Sequence, residues 1–349
     1  MRTTFKVFLS LVVLSFVMFA CRNAAKNEKK QTVNEKVTET KKTEKKVDEF
    51  KLLATYLKEN GDFINSAYCP AMIGAKEVHE NLKNPDFLII DVRKPEHYAE
   101  GHIPGAKSVP YAKVVNYFNN EINPDDYESI VLVCYSGQSA SYLTSLLQHL
   151  GHDNVYAMKF GMSSWNKENA KNFWLKNISD KYVDKLEKKE NPKNAPGPYP
   201  VLYTGETTPE KILNKRVEMI TKDPFKSILV SADEVFNNPE KYYVINYWPK
   251  EKYLAGHIPG AVQYTPKKDI SLDTYLNTLP VDKPIVIYCY TGQHASQLAA
   301  YLNLLGYDAR VLKYGANSFM HSILKKNKWH AFTPKKIYNF ELEKEAVAQ

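Results

Sequence analysis

The chain has 349 residues, 25% of them charged and 44% hydrophobic, ordinary proportions for a soluble globular protein; at roughly 100–200 residues per domain this length predicts two domains. The net charge of +8 is spread through lysine-rich stretches, with no Arg/Lys stripe interleaved with aromatics, which argues against nucleic acid as a partner. The four cysteines, Cys21, Cys69, Cys134 and Cys289, make neither a CxxC pair nor a Cys/His ligand cluster, which argues against a metal site and against a disulfide scaffold.

Residues 1–21 read as an export signal: Arg2 and Lys6 are basic, and Val7 to Ala20 is an apolar run short for a membrane span. The run ends in Met18-Phe19-Ala20-Cys21, which resembles the lipobox of bacterial lipoproteins. That resemblance implies that Cys21 is lipidated and becomes the mature N-terminus; a plain signal peptide or an uncleaved anchor is the alternative. With no acidic cluster after Cys21, the expectation is a periplasmic, membrane-anchored lipoprotein rather than a surface-displayed one. Residues 22–49 are Lys, Glu, Thr and Asn with almost no apolar content, as a disordered tether would be. Phe50 to Asn60 then has the pattern of a short amphipathic helix closed by Gly61.

A first domain is expected over residues 62–178. Its helical start AKEVHENL leads to the buried-strand pattern Phe87–Asp91, then the turn GHIPGA at 101–106, then IVLVCYSGQSA at 130–140. After Cys134, leucines at 143, 146, 147 and 150 mark one helix face, with Gly151 at its C-terminal cap. Cys69 precedes all this and has no partner spacing. It reads as a half-buried inert thiol, the sharper alternative being a resolving thiol for Cys134.

Residues 179–205, a Lys/Glu run followed by NPKNAPGPYP, read as an extended, stiff linker. A second domain, 206–333, repeats the first. GHIPGA recurs at 256–261 and IVIYCYTGQHA at 285–295, with Leu298, Tyr301, Leu302 and Leu305 on the helix face and Gly306 at its cap. Thirty-two residues separate His102 from Cys134 and His257 from Cys289, and the strands ending at Arg93 and Trp248 keep the same offset of 155. Such register argues for two copies of one domain. The remaining FTPKKIYNFELEKEAVAQ reads as a peripheral tail.

In each copy strands alternate with helical patterns, which predicts an α/β fold with a parallel sheet flanked by helices on both faces. Ligands of such sheets bind at the carboxyl ends of strands, where Cys134 and Cys289 fall. Each cysteine also lies under the start of a helix, where unpaired N–H groups favour negative charge and draw a thiol towards thiolate.

The D-x-R strand end, GHIPGA and the Cys-x-x-Gly helix start together resemble the rhodanese domain, and the duplication resembles two-domain sulfurtransferases. The resemblance covers about two thirds of the chain. It implies that Cys134 and Cys289 accept sulfane sulfur from a small anion such as thiosulfate, become persulfides, and pass the sulfur to a thiol or cyanide acceptor without a cofactor. The loops Tyr135, Ser136, Gly137, Gln138, Ser139 and Tyr290, Thr291, Gly292, Gln293, His294 would hold the anion. Gly137 and Gly292 permit a curled backbone whose amides form an anion nest. Ser136 with Ser139, and Thr291 with His294, would add donors at the pocket wall. His294, if protonated, would pull Cys289 towards thiolate, or is an exposed loop histidine. Neither loop carries the arginine that grips phosphate in phosphatases of this fold. His102 and His257 sit among turn residues and read as structural. Asp91 and Arg93, bracing residues in the family, become Asn246 and Trp248, so Cys134 is the better preserved site. The alternative to an enzyme is a rhodanese-like sensing or scaffold module without turnover; a direct relay between the two cysteines would require a large hinge motion.

Overall fold

A computed structural model describes residues 47–345. The export segment, Cys21 and the tether through residue 46 lie outside the described residues. Two parallel five-stranded sheets form the framework. In the first, β1 (Met72–Ile73), β2 (Phe87–Asp91), β3 (Lys107–Ser108), β4 (Ser129–Val133) and β5 (Val155–Met158) run in the order β1-β5-β4-β2-β3. In the second, β6 (Leu229–Val230), β7 (Tyr243–Asn246), β8 (Val262–Gln263), β9 (Ile285–Tyr288) and β10 (Ala309–Leu312) run β6-β10-β9-β7-β8. Every pairing within the two sheets is parallel.

The unbroken apolar runs of β4 and β9 are what strands covered on both faces require. Side chains of β4 alternate between two cores: Ile130 and Leu132 enter one, and Val131 and Val133 join Val78, Tyr98 and Trp165 in the other. The first face lies under the helix Gln138–His149, the second under Ala75–Glu80 and Pro95–Glu100.

The helices after the two cysteines, Gln138–His149 and Gln293–Leu304, pack on each other, so the repeats share one continuous core. Polar bonds punctuate this contact: Ser145 Oγ donates to Gln297 O (2.9 Å) and Asn303 Nδ2 to Tyr142 Oη (3.1 Å).

The segment between the repeats is extended and fastened down. Tyr199 stacks on Phe50 at 4.5 Å, and the Glu49 carboxylate accepts from the amides of Thr204 (2.7 Å) and Gly205 (3.0 Å). Glu49 opens the helix Glu49–Glu59, whose N-cap is Asp48.

The C-terminal stretch is not a peripheral tail. It returns to the first repeat, where Phe340 stacks on His79 (3.9 Å) and meets Trp165 (4.9 Å), and Trp165 Nε1 donates to Glu341 O (2.8 Å). Backbone pairing of His102 with Glu343 and the Glu343 carboxylate on the Gly105 amide (2.9 Å) clamp the first GHIPGA turn. The chain after the first repeat does the same to the second. Glu187 pairs with His257 and takes the Gly260 amide at 2.7 Å, while Leu186 lies against Gly256 as Leu342 lies against Gly101. Both arms read Leu-Glu-Lys, at 186–188 and 342–344. Each repeat is thus clamped by the arm that follows the other.

Candidate active site

Each cysteine ends a central strand, and the loop behind it curls through a glycine in the left-handed region, φ +84° at Gly137 and +75° at Gly292. A Cβ at Gly137 would stand 2.2 Å from Gln293 Nε2, and one at Gly292 would stand 2.2 Å from Gln138 Nε2, so close approach of the repeats adds a second reason for glycine.

The first loop's carbonyls are bonded from behind. Cys134 O accepts from Met162 N (2.8 Å), Tyr135 O from Ser163 Oγ (2.8 Å) and Ser136 O from Trp174 Nε1 (3.2 Å). With the carbonyls turned out, the amides turn in: Cys134 Sγ accepts from Gly137 N (3.1 Å) and Ala140 N (3.5 Å). Tyr135, Ser136 and Ser139 are half-buried. The Tyr135 ring stacks on Phe173 at 3.8 Å and lies under the Arg93 guanidinium at 4.8 Å. Arg93 is itself buried, forked onto Asp91 (Nη2 to Oδ2, 2.7 Å) and bonded to Gly101 O (2.7 Å). Its charge is committed to bracing strand end and turn.

In the second loop Cys289 O accepts from Ala316 N (2.9 Å) and Tyr290 O from Asn317 Nδ2 (2.7 Å). The Ala295 amide donates to Cys289 Sγ at 3.4 Å. Thr291 is buried, with its Oγ1 accepting from Gln293 N (3.4 Å). Trp248, in the place of Arg93, stacks on Tyr290 (4.8 Å) and gives this pocket an aromatic wall. Burial pushes the Cys289 thiol above its ordinary value near 9.0; bonds from the amides of Ala295, Thr291, Gly292 and His294 oppose the rise without cancelling it. The expected resting thiolate at Cys289 is therefore corrected: in this closed arrangement it is a thiol at neutral pH.

The structure revises three further expectations. Gln138 and Gln293 do not face an anion. Gln138 Oε1 accepts from Tyr314 N (3.0 Å) and Gln293 Oε1 from Phe160 N (3.2 Å), each across the repeat boundary. His294 does not supply positive charge: burial, helped by Lys267, pushes its imidazole down to about 3. Cys69 is fully buried, and it belongs to the second site rather than to Cys134. Its sulfur lies 3.5 Å from His294 Nε2 and 3.4 Å from Gln297 Oε1, and burial raises its thiol to about 12. The segment carrying it is fixed over the second loop by Gln297, which pairs with Ala71 N and O (both 3.2 Å), and by Lys267 Nζ on Ala67 O (3.0 Å).

His102 and His257 are structural. Each bonds a backbone carbonyl through Nδ1 (Tyr98 O, 2.9 Å; Tyr253 O, 2.8 Å) and stacks on that tyrosine's ring.

Sequence reasoning missed the side chains that arrive from elsewhere. Tyr314, from the second repeat, lies near enough to Cys134 for a charge on that sulfur to add to the upward push of burial on its phenol. Trp174 packs against Tyr314 (5.0 Å) while holding Ser136 O. A conspicuous aromatic just after β10 was the available signal for the first.

A strand-end cysteine ringed by amides at a helix start, present twice on parallel α/β sheets, defines a class by its geometry. The chain belongs to the Rhodanese-like domain family, whose model matches residues 74–168 and 231–322, together more than half of its length. It is 31% identical over 93 residues to the thiosulfate sulfurtransferase GlpE of Pseudoalteromonas translucida (strain TAC 125), covering 86% of that protein and 27% of this chain. A thiosulfate sulfurtransferase structure from Pseudomonas aeruginosa aligns at 16% identity and a TM-score of 0.29, over 85% of this chain and 49% of that one. A rhodanese-like domain protein structure from Staphylococcus aureus aligns at 26% identity and a TM-score of 0.24, over 26% of this chain and 87% of that one.

Proposed function

We propose that the protein is an exported, membrane-tethered sulfurtransferase that carries sulfane sulfur as a persulfide on Cys134. The observation that carries this reading is the pair of amide bonds to Cys134 Sγ from Gly137 and Ala140, in a loop whose carbonyls are all drawn outward. Such a ring stabilises a sulfur anion before attack and again after each transfer.

The Cys134 thiolate attacks the outer sulfur of thiosulfate. The S–S bond of the donor breaks, sulfite leaves with the bonding electron pair, and Cys134 becomes a persulfide. An acceptor thiolate, or cyanide, then takes the outer sulfur and returns the electron pair to Cys134. Arg93 has no part in this beyond holding the strand end, since its fork is spent on Asp91 and Gly101.

A different reading suits the second repeat. Burial pushes its thiol towards the protonated form, and the Cys69 segment is fastened to His294 and Gln297 behind its loop, which supports a copy that does not turn over in this arrangement. Membrane attachment through Cys21 rests on the lipobox resemblance alone, and radiolabelled palmitate incorporation, abolished by Cys21→Ala, tests it.

The decisive measurement is intact-protein and peptide mass spectrometry after thiosulfate treatment. The gain of one sulfur atom on the Cys134 peptide, lost in Cys134→Ser and kept in Cys289→Ser, is the expected result. Absence of the adduct from both loop cysteines would remove the proposal.

A further inference from the structure

The chain between the helix His321–Lys326 and the returning C-terminal arm encloses a cleft of about 580 Å³ lined by Lys325, Lys328, His330, Lys335 and Lys336. Among the described residues no carboxylate stands within ion-pair distance of any of these lysines. Two of the lining residues are held in the left-handed backbone region, Lys328 at φ +58° and His330 at φ +51°, which non-glycine residues seldom occupy. Two further lysines stand behind them. Lys159 lies over the Phe160 ring (5.8 Å) and Lys252 over Tyr290 (5.2 Å), and neither has a carboxylate partner among the described residues. Like charges gathered this way repel. The effect is visible at His330, whose imidazole is pushed down by burial and then by Lys159, Lys252 and Lys336 together; Lys159 is likewise pushed down by burial and by Lys336.

Residues of the cleft wall and beside it pack on groups that support the two loops. The His330 ring is 5.1 Å from Tyr290, beside Cys289. Phe332, two residues on, stacks on Trp174 (4.9 Å), the residue that holds Ser136 O beside Cys134. Asn317 ties the pieces together, donating to Tyr290 O (2.7 Å) and accepting from Phe332 N (2.8 Å). A small dianion such as thiosulfate does not need a space of this size. The acceptor is the substrate with size to spare.

We infer that this cleft binds the anionic body of the sulfur acceptor, and that the acceptor is accordingly a small thiol bearing two or more carboxylate or phosphate groups. The inference rests on the sulfurtransferase reading above and names its acceptor class. Unpaired lysines around the cleft attract such an anion and hold it with charge-assisted bonds.

The test compares mercaptosuccinate, a thiol dicarboxylate, with neutral 2-mercaptoethanol as acceptor for thiosulfate-driven sulfide release. The proteins are the full chain and its triple variant Lys328→Gln/Lys335→Gln/Lys336→Gln, in which only exposed side chains change. The expected result is a lower KM for mercaptosuccinate than for 2-mercaptoethanol in the wild type. In the triple variant that KM rises about tenfold, as losing three exposed ion pairs implies, while kcat and the KM for 2-mercaptoethanol hold. Equal KM values for the two thiols, unmoved by the triple substitution, overturn the inference and leave the enzyme reading standing. If neither thiol supports turnover, calorimetric titration of mercaptosuccinate still decides: saturable binding weakened in the triple variant supports the site, and no binding overturns it. Binding to phosphatidylglycerol vesicles that is lost in the triple variant, with no mercaptosuccinate binding, also overturns it, because the cleft would then face a lipid surface.

Discussion

Gln138 and Gln293 are exchanged between the repeats: each begins the helix behind its own cysteine and ends in a hydrogen bond to the backbone of the other repeat. The amides they capture belong to Tyr314 and Phe160, which carry positive φ (61° and 63°) at the ends of β10 and β5. Each glutamine therefore holds a strained residue of the opposite site in place. Alanine at either position should cost about 1–3 kcal/mol, the penalty for stranding a buried amide. The double variant should cost less than the sum, because both act on one interface. Urea unfolding of the four members of the cycle measures this; strict additivity would mean that the two bonds are independent.

Asp91 and Arg93 form a buried fork whose removal from one side strands the other charge. Asp91→Ala should destabilise by about 3–5 kcal/mol. The paired change Asp91→Asn/Arg93→Trp, which installs the residues of the second repeat, leaves no buried charge and should cost less than the single change. Equal urea midpoints for the single and double variants would show that the fork is not what stabilises this corner.

Cys289 should be slow to react with iodoacetamide at neutral pH, and its rate should keep rising as pH passes the ordinary thiol range, because its pKa lies above it. Gln297→Ala removes both bonds from Gln297 to Ala71. At about 1 kcal/mol or a little more for the lost bonds, that should speed Cys289 labelling roughly fivefold to tenfold without changing the rate at Cys134. Peptide mapping of the alkylated protein reads both rates, and an unchanged Cys289 rate would mean that the Cys69 segment is not a cover.

His149 and His294 are both held near 3, against an ordinary value of 6.5, in each case chiefly by burial. Between those values the unfolded chain binds protons that the folded chain refuses, so protonation favours unfolding. Stability should be intact above pH 6.5 and fall as pH drops through 5, by at most about 1.4 kcal/mol per pH unit for each histidine. His149→Leu removes one of these groups and should make the slope shallower, the remainder coming from His294 and from His152, His257 and His330, which burial also pushes down. Denaturant titrations at pH 7, 6 and 5 test this before most carboxylates titrate; identical slopes for variant and wild type would count against it.

The duplicated strands, the turn GHIPGA and the positions of Cys134 and Cys289 were readable because each follows from a local pattern: an apolar run, a glycine, a leucine face. What resisted reading was tertiary. Gln138 looks like a loop donor until the second repeat is set 174 residues away in sequence but within bonding reach, at Leu312 O. Cys69 has no local pattern, and its association with His294 exists only after the two repeats close on each other. The arms share just Leu-Glu-Lys, too short to stand out among so many lysines and glutamates. The raised thiol at Cys289 likewise comes from burial in the folded protein, where Trp248, distant in sequence, stacks on the loop residue Tyr290.

The crossed Leu-Glu-Lys arms bear on how such a chain can be divided. Cutting it after the first repeat would leave that half with an arm that has nothing to grip and a GHIPGA turn with nothing gripping it. A one-repeat polypeptide with the same arm could satisfy both only by embracing a second copy of itself. The tandem chain thus meets within one polypeptide a pair of reciprocal contacts that neither half could meet alone.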